Sequence, residues 1–111
     1  MRHVQVVGTG MGAGNRTIPN SYFHEHLGTN VSDWLEENVE IFERTWVDED
    51  QSTLTLCEDA AYDALARAGL EASDLDLVVV ATDTPEFLSP ATASALVHEI
   101  GAGHAACFDV N

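Results

Sequence analysis

The run Asp76-Leu77-Val78-Val79-Val80-Ala81-Thr82 decides the fold class of this 111-residue chain. Its five central residues are apolar and mostly β-branched, and their number suits a β-strand. Because apolar side chains point to both sides of such a strand, we expect a parallel sheet with both faces buried. The same run is far too short to cross a membrane as a helix.

The sequence before this strand predicts a long helix over residues 52–68. Apolar side chains recur there at steps of three and four, which places them on one helix face: Leu54, Cys57, Ala61, Leu65 and Ala68. Asp50 or Ser52 is placed to cap the start of the helix, and Gly69 to end it.

The sequence after the strand predicts a second helix and a last strand. Residues 91–100 have a helical pattern with Pro90 at the first turn, and residues 105–110 are strand-like. Alternation of strands and helices predicts an α/β unit with right-handed crossovers.

The first half of the chain is predicted to be less regular. Residues 3–8 are expected to form a strand, and residues 9–20 a glycine-rich loop. Two short helices are expected at 21–27 and 32–38, the first capped by Asn20 or Ser21 and ended by Gly28, the second capped by Ser32. Residues 40–47 are expected to be extended. No linker is visible, so one domain over residues 1–111 is the prediction.

The charge of the chain is strongly negative. Nineteen acidic residues face four arginines and no lysine, which gives a net charge of -15. Such a surface repels nucleic acid and anionic membranes, so neither is expected as a partner. Acid dispersed along the whole chain favours a salt-adapted protein, because concentrated counterions screen the self-repulsion. The start of the chain carries no leader pattern, which predicts a cytoplasmic protein.

Three motifs suggest sites, and each has a plainer interpretation. Residues 8–13 match G-x-G-x-x-A, the pattern of a dinucleotide-binding turn, but no helix is predicted to follow at once, so a glycine turn is preferred. His24 and His26 are two apart on a predicted helix and cannot share a metal ion. Cys57 and Cys107 are expected to be free, buried thiols rather than nucleophiles, because each lies in an apolar element.

Trp34 lies on the second short helix and is expected to be partly exposed. It is either a half-buried packing residue or a surface on which the flat ring of a ligand stacks.

Taken in order, several segments resemble the ketoacyl-ACP synthase III family of the thiolase-like superfamily. The resemblance covers nearly the whole chain and rests on the following pieces: Val6-Val7-Gly8-Thr9-Gly10, Ser32-Asp33-Trp34, Glu43-Arg44, Ala60-Ala61, Ala68-Gly69-Leu70, residues 74–82, Thr84-Pro85, Pro90-Ala91-Thr92-Ala93 and Phe108-Asp109-Val110-Asn111. It implies a partial thiolase-like fold. Hydroxymethylglutaryl-CoA synthase and other thiolase-like condensing enzymes have a similar pattern.

The resemblance implies a condensing enzyme that transfers an acyl group from an acyl thioester and extends it by decarboxylative Claisen condensation. In this family the nucleophilic cysteine follows the F-D-V-N segment by two small residues, so we expect it just beyond Asn111 and assign no catalytic residue in the chain. We therefore expect the N-terminal part of such an enzyme, inactive alone. A histidine and an asparagine further downstream assist the reaction, and the complete enzyme is expected to be a homodimer.

The resemblance also implies a ligand surface. Trp34 corresponds to the tryptophan that stacks on the adenine of coenzyme A, and Asn38 stands where the family usually has an arginine for a CoA phosphate. An acyl-CoA or acyl-ACP thioester is thus the expected substrate, with no resident cofactor or metal. Two other hypotheses stay open at this point: a free-standing module that binds a CoA-like ligand or a partner subunit, and a small dinucleotide-binding domain.

Overall fold

The computed structural model describes residues 3–111 and divides them into two compact units. Met1 and Arg2, the first residues of the expected leaderless start, lie outside the described residues. One unit comprises residues 3–12 together with Gln51–Asn111, and the other is Ala13–Asp50. A single domain over the whole chain stays a prediction.

Helices and strands alternate along the chain, which is consistent with the predicted α/β class. Their bounds in chain order are β1 (Arg16–Pro19), α1 (Asn20–Leu27), α2 (Ser32–Val39), β2 (Glu43–Trp46), α3 (Thr53–Ala68), a short 3₁₀ turn (Ala72–Asp74), β3 (Leu77–Ala81), α4 (Thr92–Glu99) and β4 (Ala106–Val110). Within residues 3–111, no helix is both long enough and apolar enough to span a bilayer.

The larger unit is built on a parallel pair of strands. β3 lies beside β4, with Leu77 opposite Ala106 and Ala81 opposite Val110, and α4 forms the connection between them. The predicted strand–helix–strand unit is therefore confirmed for this part of the chain. Its core consists of buried side chains from β3, α4 and the turn after α4: Val80, Ala93, Leu96, Val97, Ile100 and Ala102.

α3 begins and ends where its sequence predicts. The Ser52 hydroxyl accepts a hydrogen bond from the Thr55 N–H at 3.4 Å, and the Thr55 hydroxyl accepts one from the Ser52 N–H at 2.8 Å. This reciprocal pair satisfies two N–H groups that a helix start leaves without partners. Gly69 ends the helix in the left-handed conformation, with φ of 67°.

Residues 3–111 cover only one face of the β3–β4 pair. Val78 and Val80 face the core, whereas Leu77 on the other face keeps 51% of its surface exposed and Phe108 keeps 48%. The expectation that β3 is buried on both faces is therefore wrong for residues 3–111. The reason is that α3 and α4 cover one side of the pair, and no described element covers the other.

The strand predicted at residues 3–8 does not form, because these residues pair with no other strand. Instead, residues 8–12 lie against α3, and every second residue of this stretch is a glycine in close contact with the helix. Gly8 lies against Ala64, Gly10 against Ala60, and Gly12 against Leu56. No helix begins at Gly12 or Ala13, as a dinucleotide-binding turn would require. The glycines instead let the backbone of residues 8–12 approach the backbone of α3 closely. The dinucleotide-turn hypothesis is therefore wrong.

The smaller unit is an antiparallel hairpin-like pair with two short helices between its strands. β1 pairs with β2, with Arg16 opposite Trp46, so part of the predicted loop at 9–20 is a strand. α1 and α2 form as predicted, and Gly28 ends α1 in the left-handed conformation. The predicted cap residues are wrong: the chain enters α1 from Pro19 and α2 from Val31.

The start of α4 also differs from expectation. Ala91 is the cap residue, so Pro90 precedes the helix instead of standing in its first turn. The backbone N–H groups that a local side chain would have capped are bonded to Asp109 of β4, as described below.

Candidate functional site

An apolar depression of about 470 Å³ lies within the smaller unit. Residues of α1, the α1–α2 connection, α2 and β2 line it: Phe23, Leu27, Asn30, Val31, Trp34, Leu35 and Arg44. Its volume falls in the range of small-molecule sites, and its lining is mostly apolar with few polar groups, which is the usual composition of such sites.

Trp34 is the most exposed aromatic side chain of this depression, with 61% of its surface accessible. The predicted partial exposure of Trp34 is thus confirmed. An indole exposed beside an apolar depression can stack against a flat ring.

Asn38 lies one helical turn after Trp34, on the same face of α2. Its side-chain amide donates a hydrogen bond to the backbone carbonyl of Trp34 at 2.9 Å. The predicted pair is therefore brought together, but the Asn38 amide is used within the helix, and it carries no charge for a phosphate. A role of Trp34 and Asn38 in ligand binding remains a proposal.

Arg44 is a lining residue whose place the sequence did not reveal. Its Nη2 donates to the Oδ1 of Asn20 at 2.8 Å, and its guanidinium lies over the ring of Phe23, 4.5 Å from the centroid. Asn20 is itself almost fully buried and donates to the carbonyl of Ile41 at 2.7 Å. The Nη1 of Arg44 is buried as well. The sequence predicted Asn20 as a possible cap of α1, so its hydrogen bond to Arg44 was not foreseen.

The histidines of α1 lie on a helix, as predicted. His26 stacks on Tyr22 with ring centroids 4.0 Å apart, and its Nδ1 lies 2.8 Å from the Tyr22 carbonyl. Across residues 3–111, no three His, Cys, Asp or Glu side chains are grouped in a way that could hold a metal ion. His26 thus belongs to the aromatic packing that Tyr22 makes with Trp46.

Both cysteines are free and partly buried in the larger unit. Burial raises the pKa of the Cys57 thiol, and the carboxylates of Asp109, Glu58 and Glu86 raise it further. The Cys107 sulfur lies 3.6 Å from the Ser94 hydroxyl, between β4 and α4. A thiol that is kept protonated is a poor nucleophile, so the environment of Cys57 is not that of a reactive cysteine.

Two carboxylates hold the loop between β3 and α4, and sequence reasoning missed both. Glu86 accepts a hydrogen bond from the Leu54 N–H in the first turn of α3 at 3.0 Å. Asp109 accepts from the N–H groups of Thr92 and Ala93 at 2.6 and 2.7 Å, and these bonds lower its pKa. The loop residues Phe87 and Leu88, beside a depression of about 380 Å³, remain exposed.

Comparison with known proteins gives consistent results for fold and sequence, although no protein-family model matches the chain. A β-ketoacyl-[acyl-carrier-protein] synthase III of Clostridium botulinum is 35% identical over all of this chain, which spans 33% of that protein. The structure of 3-oxoacyl-[acyl-carrier-protein] synthase III from Aquifex aeolicus superposes with a TM-score of 0.86 and 28% identity over 97% of this chain and 34% of that one. The structure of the priming β-ketosynthase of the R1128 polyketide pathway superposes with a TM-score of 0.87 and 29% identity, over 96% of this chain and 31% of that one.

Proposed function

Since the chain is a homologue of β-ketoacyl-ACP synthase III proteins along its entire length, and spans about a third of theirs, we propose that it forms part of such a condensing enzyme. The observation that carries the proposal is that one contiguous match covers both units. A chance resemblance of the parallel βαβ unit alone would not extend through α1, α2 and the β1–β2 pair.

For the whole enzyme we propose acyl transfer followed by condensation. A cysteine attacks an acyl thioester and releases the donor's thiol. A malonyl thioester then loses CO₂, and its α-carbon attacks the enzyme-bound acyl group. The bond from the acyl carbon to the cysteine sulfur breaks, which frees the thiol and gives a 3-oxoacyl thioester. The product serves fatty acid synthesis or, as the likeness to a polyketide priming enzyme suggests, a related pathway. We assign none of the catalytic side chains to residues 1–111.

Within this scheme we propose that the smaller unit contributes to donor binding. Trp34 supplies the stacking surface for a flat ring of the thioester donor, and Asn38 lies one turn further along the same face of α2. The supporting observations are the exposure of the indole and the apolar depression around it. The donor is an acyl-CoA or an acyl-ACP.

We further propose that the complete enzyme is a cytoplasmic homodimer adapted to high salt. The apolar face of β3 and β4, with Leu77, Val79, Phe108 and Val110 exposed, needs cover that the described residues do not supply. The net charge of -15 supports the salt adaptation. We expect the melting temperature of the chain to rise between dilute buffer and molar KCl, because screening removes self-repulsion. A melting temperature that falls with KCl would contradict it.

The test of the condensing function is a chimera. The matching third of the Clostridium botulinum synthase is replaced by this chain, and 3-oxoacyl thioester formation is measured with labelled malonyl thioester. We expect activity above that of a matched chimera carrying Gly10→Ala, which should not pack correctly. Circular dichroism reports whether each chimera folds. A folded chimera without activity would contradict the proposal, and the isolated chain should form no acyl adduct at Cys57 or Cys107.

A further inference from the structure

The carboxyl ends of β3 and β4 meet at one edge of the larger unit. Ala81 and Val110 end these two parallel strands in register. The residues that follow them, Thr82 and Asn111, both line two depressions at this edge, of about 360 and 380 Å³. In open α/β sheets, the groups that bind and react lie beyond the carboxyl ends of the strands. This edge is therefore where a fixed backbone matters most for chemistry.

The end of β4 is held from two sides. On one side, the Val110 carbonyl accepts a hydrogen bond from the Thr82 N–H at 2.9 Å, which ties it to the chain leaving β3. On the other side, the carboxylate of Asp109 accepts from the N–H groups of Thr92 and Ala93 at 2.6 and 2.7 Å. Thr92 and Ala93 are fully buried, so Asp109 is bonded to a part of α4 that is fixed in the core.

These two bonds do more than cap a helix. The N-cap position of α4 is Ala91, which has no side-chain acceptor, whereas a serine or aspartate there would satisfy an N–H group locally. The acceptor comes instead from a strand residue 16 to 17 positions away. Hydrogen bonds to a carboxylate are roughly twice as strong as bonds between neutral groups. The arrangement thus couples the start of α4 to the end of β4, which a local cap would not do.

We propose that Asp109 is a positioning residue, whose carboxylate fixes the end of β4 against α4 and thereby places the nucleophilic cysteine that is expected just beyond Asn111. The inference rests on the proposed function, because it concerns the nucleophile of that reaction. Both carboxylate oxygens are bonded to backbone N–H groups, so Asp109 acts through the backbone of β4 and not on the substrate. A displacement of about 1 Å at a reacting atom can slow a reaction by about 100-fold.

The test uses the chimera described above, whose Clostridium botulinum portion supplies the residues after Asn111. Acylation of its cysteine by acetyl-CoA is followed in single turnovers by intact mass. Asp109→Asn keeps the side-chain shape but sets an amide NH₂ against one of the two N–H groups. We expect the acylation rate at saturating acetyl-CoA to fall roughly 10- to 100-fold, with the half-saturating concentration unchanged.

Two further variants separate positioning from folding. Ser52→Ala removes the cap of α3, so it destabilises the same unit away from the end of β4 and should acylate at the wild-type rate. Asp109→Glu keeps the charge and both acceptor oxygens but adds one methylene, which moves the strand end relative to α4. It should therefore also acylate more slowly than the wild-type chimera, and it decides the question if Asp109→Asn does not fold.

The outcomes distinguish this inference from the proposed function. A folded wild-type chimera that is not acylated overturns the proposed function and the inference with it. An active wild-type chimera whose folded Asp109 variants acylate at the wild-type rate overturns the positioning role alone. A rate that falls in Asp109→Asn and Ser52→Ala alike, in proportion to the folded fraction seen by circular dichroism, also overturns it. Slower acylation in the Asp109 variants alone, with unchanged circular dichroism spectra, supports both.

Discussion

A methyl group added at Gly10 tests the packing of residues 8–12 on α3, which the sequence did not predict. In Gly10→Ala the new Cβ would overlap the backbone oxygen of Ala60 and the backbone nitrogen of Ala64. Both atoms belong to a helix and cannot rotate away as the end of a side chain could. The segment must therefore lift from α3, which also strains the hydrogen bond of 3.3 Å from the Met11 N–H to Asp63.

The size of the effect follows from two opposing terms. Forcing a methyl group into a packed contact costs about 1–3 kcal/mol, and the upper part of this range applies because backbone atoms must move. Replacing a glycine by alanine also lowers the conformational entropy of the unfolded chain, which raises the free energy of unfolding by about 0.4–1 kcal/mol. The free energy of unfolding should fall by about 2 kcal/mol, which lowers the melting temperature of a domain of this size by about 10 °C.

The assay is thermal unfolding followed by circular dichroism, with Gly103→Ala as the matched control. A Cβ at Gly103 meets no atom within 4 Å, and its backbone is not in the left-handed region. The control should therefore change stability by no more than about 0.5 kcal/mol. If Gly10→Ala melts together with the wild-type chain, residues 8–12 do not lie on α3, and the account of the alternating glycines is wrong.

Three further changes test single local features. Ser52→Ala removes the reciprocal cap of α3 and should lower the free energy of unfolding in urea by about 1 kcal/mol; an unchanged midpoint would contradict the cap. Glu40→Gly should raise stability by about 1 kcal/mol, because Glu40 has φ of 54° at the α2 C-terminus, whereas the control Glu37→Gly should lower it. Hydrogen bonds lower the pKa of Asp109 in the folded chain, so its contribution to the free energy of unfolding is fully present above the unfolded pKa of about 4. This contribution is lost as the pH falls through the folded pKa. Asp109→Asn should therefore make the loss of stability at acid pH less steep. An acid limb as steep as that of the wild-type chain would argue against this role.

The elements that the sequence predicted well are those whose stability is local. α3 has an apolar repeat over four turns, a serine at its start and a glycine at its end, all within residues 52–69. β3 is a valine-rich run that no helix pattern matches. The prediction failed at residues 3–8 because a strand-like pattern forms a strand only where a partner strand is available, and here the nearest neighbour is a helix.

The candidate site was predictable only in part, for a related reason. Trp34 and Asn38 are four residues apart, so on a helix they share a face, and the structure places both on α2. Arg44 could not be found in this way, because its contacts with Asn20 and Phe23 join positions more than twenty residues apart.

The helix caps show why the acidic composition cannot be explained by salt adaptation alone. A search for caps looks at the residues just before a helix, yet α4 is capped by Asp109, which follows it in the chain, and α3 receives a carboxylate from Glu86, more than thirty residues downstream of its start. Negative charge at a helix N-terminus is stabilising, so these two acids fix the β3–α4 loop and β4 to the helices. The chain thus uses acidic residues in two ways: exposed ones such as Glu37 add to the surface charge, and Glu86 and Asp109 hold the fold. Salt should weaken the effect of the first group far more than that of the second, because hydrogen bonds to the backbone persist when long-range fields are screened.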